Sequence, residues 1–171
     1  HQFKDMANLA ESLSKDYRIG SGWLFLSASG NAQINKEILK QRLSPKEVIE
    51  LDKPDLFQEE WIEKDNSACH SRDKNGYLFA SCANSDHFHI DSYGKMTFCC
   101  SIKDSSLRYD LRKGSFKECW EEFIPSLANK VKATKEYQDN CGSCELRNDC
   151  RWCAVYGYLE HGRFCAKVDY L

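Results

Sequence analysis

Nowhere in this chain do eighteen apolar residues run together, and its amino terminus, HQFKDMANLAESL, mixes charges along an amphipathic pattern. The first absence argues against a membrane-spanning helix, and the second stretch itself reads as neither a membrane span nor a signal peptide. Charge of one sign is missing too: 24 Lys and Arg against 26 Asp and Glu leave a formal net charge of -2. That balance points neither to nucleic acid nor to an acidic tail. No internal repeat or low-complexity tract is present. The chain therefore reads as soluble and cytoplasmic, with no nucleic-acid and no membrane partner. Its 171 residues allow one domain with a sizeable core, or a small domain carrying part of another. Opening on His1 and not on methionine, it is expected to be a piece of something longer.

Cysteine is what the sequence has in excess: ten, at 69, 82, 99, 100, 119, 141, 144, 150, 153 and 165. A disulfide framework would suit a short secreted scaffold, and no secretory signal supports one. In a reducing compartment, clustered thiolates hold soft metals: zinc, copper(I) or iron in iron–sulfur clusters. Metal binding is the leading reading.

The elements are short. Phe3, Met6, Leu9, Ala10 and Leu13 recur at helical spacing and predict an amphipathic helix over 3–13. YRIGSGWLFLSASG, residues 17–30, reads as an extended segment or strand leading into a loop. In RLSPKEVIELD, Ser44 is a helix N-cap, Pro45 the first helical residue and Glu47 the reciprocal partner of a capping box, predicting a helix through Leu51. Lys53 to Asn66 is polar with a few apolar anchors and reads as a linker. GYLFASC and HFHIDSYGKMTFCC read as two short strands and a hairpin turning near Tyr93 and Gly94, which would set Cys82 near Cys99. Ser115 and Glu118 form a second capping box before the stripe Phe116, Trp120, Phe123, Ile124 and Leu127, with Pro125 breaking that helix or starting another.

Between Cys141 and Cys153 the spacing is C-x2-C-x5-C-x2-C. Zinc ribbons are built from such pairs, but with a longer excursion between them. Iron–sulfur clusters combine tight local spacings with a remote ligand, and Cys165, Cys82 and Cys99 stand where remote ligands would. The CGSC stretch matches a thioredoxin-type pair without the surrounding βαβ pattern.

Cys82 to Cys99 reads C-x11-G-x4-C through Gly94, followed by the cysteine run and a lone Cys165. Together these resemble the seven-cysteine SPASM motif at the carboxy terminus of radical S-adenosylmethionine enzymes that modify peptides and proteins, over residues 67–171. One spacing differs: x2 stands between Cys150 and Cys153 where the family has x3. RLSPKEVIELD resembles the connector of such enzymes, and residues 1–30 the end of their partial α/β barrel. The resemblance implies an α+β fold: a small cysteine-rich SPASM-like domain with a β-hairpin, helices and metal-binding loops, preceded by the helix–strand tail of a missing barrel. It places the tail at 1–40, the connector helix and linker at 41–66 and the cluster domain at 67–171.

By the same resemblance, two auxiliary 4Fe-4S clusters are expected, with one as a possibility. Cys141, Cys144, Cys150 and Cys165 would hold the cluster farther from the missing active site. Cys82, Cys99 and Cys153 would hold the nearer one, with Cys69 the available candidate for its fourth position. The implied partners are a peptide or protein substrate and a reductant such as ferredoxin or flavodoxin. Of the remaining cysteines, Cys119 reads as a small core residue and Cys100 as the neighbour of Cys99 on the opposite strand face. His70, His87 and His89 sit near the first cysteines and could ligate a metal, although exposed or hydrogen-bonded histidines are the commoner case; Asp86 and Asp91 could line a substrate surface but read first as turn residues. Arg147, Arg151 and Trp152 could shield or tune a cluster, with surface packing the default reading. Gly142, Gly157 and Gly162 mark close backbone approaches or turns.

The family's catalytic C-x3-C-x2-C triplet is absent. The chain is thus expected to contain no catalytic residue, to leave S-adenosylmethionine to the missing domain and to be inactive alone. Two other classes compete: a structural zinc module without redox function, and a standalone ferredoxin, against which the connector and the barrel-like tail argue.

Overall fold

The computed structural model describes residues 2–15, 23–51, 76–84, 86–145, 150 and 152–171. Helix α1, Phe3–Leu13, forms as its spacing predicts. Its apolar stripe stays open among the described residues: Met6, Leu9 and Leu13 are 66%, 58% and 76% exposed. Of the expected strand at 17–30, residues 17–22 lie outside the described residues, and 23–30 joins neither a helix nor a strand. Helix α2, Ala32–Gln41, follows instead, its N-terminus closed by the Asn31 side chain, which accepts from the Gln33 and Ile34 N–H groups at 3.0 Å each. Asn in this role satisfies two donors that the first helical turn leaves without partners.

Helix α3 spans Pro45–Leu51 as the capping box predicts. Glu47 reaches back to the Ser44 N–H and hydroxyl, both at 2.7 Å, while the Ser44 Oγ accepts from the Glu47 N–H at 3.3 Å. The Ser44 hydrogen bonds hold the Glu47 carboxyl below its ordinary pKa. The linker read at 53–66 lies outside the described residues.

The small sheet is an antiparallel meander. Strand β1, His89–Ile90, pairs with β2, Lys95–Thr97, in the register His89 to Thr97 and Ile90 to Met96; β2 pairs in turn with β3, Tyr109–Asp110. The hairpin turns where the sequence places it. Gly94 takes a φ of 71°, a left-handed conformation that glycine adopts without a Cβ clash. Asp91 Oδ1 accepts from the Tyr93 and Lys95 N–H groups, both at 2.9 Å, which makes it the turn residue expected. Its carboxyl is lowered chiefly by the Lys95 N–H. β3 is short and was not foreseen.

GYLFASC is no strand. Tyr77 makes an isolated antiparallel bridge to Lys132, and the chain then turns so that Leu78 and Phe79 enter the core and Cys82–Asn84 forms a 3-10 turn. Its run of apolar residues reflects burial in a turn, where no alternation of faces is imposed.

Helix α4 runs over 116–129 as four successive segments: Phe116–Glu118, a wide π turn at Cys119–Phe123, Ile124–Ser126 and a 3-10 end at Leu127–Asn129. Pro125, which has no N–H to return, is carried by this change of register, so the helix continues through it. Ser115 caps the start by accepting from the Glu118 N–H at 3.1 Å. The Glu118 carboxylate bonds the Tyr109 hydroxyl, which together with burial pushes that phenol up to about 12. Helix α5 spans 135–142, Lys135–Tyr137 continuing into a second π turn at Gln138–Gly142. Helix α6, Ala154–His161, ends at Gly162.

The core joins Phe79, Met96, Phe98, Leu107, Ile124, Leu127, Tyr137, Trp152 and Val155. Trp152 is a core residue and not a surface one: it is 4% exposed. The 23–42 segment packs on this core. Phe25 stacks on Tyr156 with ring centres 3.7 Å apart, and Trp23 meets Tyr170 edge-on at 5.2 Å. The Arg42 guanidinium pairs with Glu160, donates from Nε to the Leu24 carbonyl at 2.7 Å and lies 4.2 Å from the Tyr170 ring centre. The architecture is α+β, with six helices and one three-stranded sheet among the described residues. No helix among them is long and apolar enough to cross a membrane.

Candidate metal centre

Three elements from distant parts of the chain each present a cysteine to one place. Cys82 begins the 3-10 turn after Phe79, Cys99 follows β2, and Cys153 is the N-cap residue of α6. All three line one cavity of about 570 Å³. Cys100, His87 and His89 share its wall, which is otherwise mostly apolar and aromatic, Phe25, Phe79, Phe98 and Tyr156 included. Cys100 lies in the turn after β2, so it reaches the same cavity as Cys99 and not an opposite face. The volume is some twenty times the roughly 30 Å³ that a water molecule occupies in the liquid.

No group of three or more His, Cys, Asp or Glu side chains is arranged to hold a single metal ion among the described residues. Thiolate is the soft ligand that iron–sulfur clusters take, and Cys82, Cys99 and Cys153 are the residues of this cavity that would hold one.

The second set gathers around Trp152. The Trp152 N–H donates to Cys150 Sγ at 3.4 Å, its indole N–H donates to the Ala166 carbonyl at 2.9 Å, and its ring lies 5.3 Å from that of Tyr137 in α5. One residue thus links the loop carrying Cys150, through its backbone, to the turn carrying Cys165 and the helix carrying Cys141, through its side chain. Gly157 draws that turn closer still. A Cβ on it would stand 2.8 Å from the Ala166 carbonyl oxygen and 3.0 Å from that of Arg163, so only glycine lets α6 approach the 163–166 backbone. Cys165 is 7% exposed and its Sγ donates to the Lys132 carbonyl at 3.5 Å. Cys141 and Cys150 are partly buried against the core, while Cys144 is exposed. Lys167, whose ammonium is held up first by Asp169, is also raised by Cys141 and Cys144, so both sulfurs lie within its electrostatic reach.

Cys119 joins neither set. It is fully buried in α4, and burial followed by the charge of Glu118 pushes its thiol up to about 11. It stays a neutral core residue near neutral pH, as the apolar stripe around it implies. No disulfide joins two described cysteines. Cys69, His70, Arg147 and Arg151 lie outside the described residues.

Phe25 was not read as a wall residue from the sequence, which carries no signal for it: it is 57 positions from the first described cysteine, Cys82. No protein-family model, no curated protein and no solved structure matches the chain.

Proposed function

We propose that the chain is the auxiliary-cluster portion of a radical S-adenosylmethionine enzyme that modifies a peptide or protein. In this reading residues 67–171 are a SPASM-like domain, 41–66 a connector and 1–40 the tail of a partial barrel. The observation that carries it is the convergence of Cys82, Cys99 and Cys153 on one large apolar cavity. These are the cysteines that the motif resemblance groups together, drawn from opposite ends of the domain.

When bound, a four-iron cluster supplies one-electron transfer or an iron atom able to anchor a substrate. The chain's own part is to hold and screen it. Aromatic walls lower the local dielectric around the cavity, and backbone donors such as the Trp152 N–H on Cys150 Sγ would favour thiolate over thiol at the second set. The partners in this reading are the modified peptide and a small reductant.

The test is iron, zinc and acid-labile sulfide per chain after strictly anaerobic purification. About eight iron and eight sulfide are expected for two clusters, and about four of each for one. Zinc without sulfide would move the protein into the structural zinc class and end the redox reading.

A further inference from the structure

We propose that the open edge of β1 is where the modified peptide docks, added to the sheet as one more strand with an apolar side chain laid on the Phe88, Phe116 and Trp120 rings. The inference rests on the peptide-modifying reading above and names the surface that holds the peptide.

In an antiparallel pair, successive residues alternate between exchanging hydrogen bonds with the partner strand and turning their N–H and C=O away from it. The Asp91 N–H donates to the Lys95 carbonyl at 3.0 Å, so Asp91 faces β2 and its neighbour Ile90 faces away. The other side of β2 gives the same phase. There the Leu111 N–H donates to the Gly94 carbonyl at 2.9 Å, so Gly94 and Met96 bond toward β3, and Met96, opposite Ile90, has no backbone group left to offer it. β1 is an outer strand of the sheet, and no described strand stands beyond it. The Ile90 N–H and C=O thus present a donor and an acceptor outward, a pattern whose complement is another extended backbone.

The two edges of the sheet are guarded differently. Along β3 stand Arg108, Asp110 and Arg112, charges of the kind that ordinarily keep an edge from pairing. The stretch 87–90, HFHI, has no Lys, Arg, Asp, Glu or Pro. Phe88 and Phe116 are each 45% exposed, and Ile90 is 41% exposed. Phe88 meets Phe116 at 5.1 Å and Trp120 at 5.5 Å, both edge-on, so rings from before β1 and from the start of α4 form one apolar shelf. His87, Phe88 and His89 also line the cavity, so a strand laid along β1 runs beside the candidate metal centre.

Size chooses the occupant. The two residues of β1 offer about 7 Å of edge. A second copy of the chain held there would bury far less than the roughly 1,000 Å² of a stable interface, whereas a short extended peptide needs only an edge and a seat for its alternate side chains.

The test selects random peptides of about six residues, an ordinary strand length, from a displayed library on the anaerobically purified full chain. Peptides with an aromatic or branched aliphatic residue are expected to be enriched, and the affinity of the best one is then measured by fluorescence anisotropy. Ile90→Pro removes the outward N–H at a place where an edge strand tolerates proline, and should weaken that peptide about tenfold. Phe116→Ala removes a ring from the shelf without touching the sheet backbone, and should weaken it about fivefold. Arg112→Ala, at the opposite edge, should leave it unchanged. No enrichment over the Ile90→Pro chain, binding that survives either substitution unchanged, or a concentration-dependent dimer that Ile90→Pro dissolves overturns the inference. Iron and sulfide measured on the same sample separate it from the reading beneath it. A cluster without peptide binding overturns the docking alone; docking by a chain without iron or sulfide keeps the edge as a peptide site and ends the auxiliary-cluster reading.

Discussion

Gly157→Ala sets two effects of opposite sign against each other, and the geometry decides between them. Gly157 is the fourth residue of the eight in α6. In a helix interior, alanine is favoured over glycine by about 1 kcal/mol. The added methyl, however, would stand 2.8 Å from the Ala166 carbonyl oxygen, 3.0 Å from that of Arg163 and 3.3 Å from that of Phe164. These are backbone atoms, so no side chain can rotate out of the way. The 163–166 turn must move off the helix, and the Trp152 indole bond to the Ala166 carbonyl must stretch with it. Overpacking of this kind costs about 1–3 kcal/mol, and with the hydrogen bond involved its upper part applies. The expected net loss is about 1–2 kcal/mol, or a fall in Tm of about 2–8 °C for a chain of this size. Thermal denaturation followed by circular dichroism reads it. Iron content should fall as well, because the turn that moves carries Cys165. A variant that melts higher than wild type would show that helix propensity wins and that the close approach of α6 to the turn is not real.

Arg42→Met leaves the Glu160 carboxylate, whose side chain is 10% exposed, without its guanidinium; the stability loss by urea denaturation should be about 3 kcal/mol, and Arg42→Met with Glu160→Leu should recover most of it. A single variant within about 0.5 kcal/mol of wild type would refute this account of how the 23–42 segment docks. Asp110 is held well below the ordinary carboxylate range by hydrogen bonds first from Arg112 and then from Lys95. A lowered folded pKa contributes stability above the unfolded value, about 3.9, that is lost as pH falls through the folded one. The urea midpoint of wild type should therefore drop on acidification below about pH 4, and Asp110→Asn should flatten that drop; parallel acid limbs would refute the assignment.

Local features of the chain were legible because their causes are local. The Ser44, Pro45 and Glu47 box needs only three neighbouring residues, and it forms as read. The Asp91 to Gly94 turn is likewise written in four positions. Helix α2 could have been read by the same rule, since Asn31 stands ahead of Ile34 and Ile38 at helical spacing. The GYLFASC segment was misread because an apolar run is common to buried strands and buried turns, and only its contacts with 131–133 and with the core choose between them. Glu118 went to Tyr109 and not back to the Ser115 N–H because β3, invisible in the pattern, brings a phenol beside it.

The two cysteine sets carry unequal weight for the same reason. Cys141, Cys144 and Cys150 of the second set fall within ten positions and would lie near one another in almost any fold, whatever they bind. Their closeness discriminates little. Cys82 and Cys153 are 71 positions apart, and bringing them to one wall costs chain entropy that packing has to offset. The packing that does so is identifiable: Phe79 against Phe98 and Phe164, and Trp152 against Tyr137. It leaves an open cleft of about 570 Å³ on whose wall the three thiols stand. Cys119 shows the contrast, since the same core buries it completely and keeps it off the cavity wall. The core thus sorts its cysteines into a filler and a cavity lining, and the thiols on that lining are what the proposed metal cluster rests on.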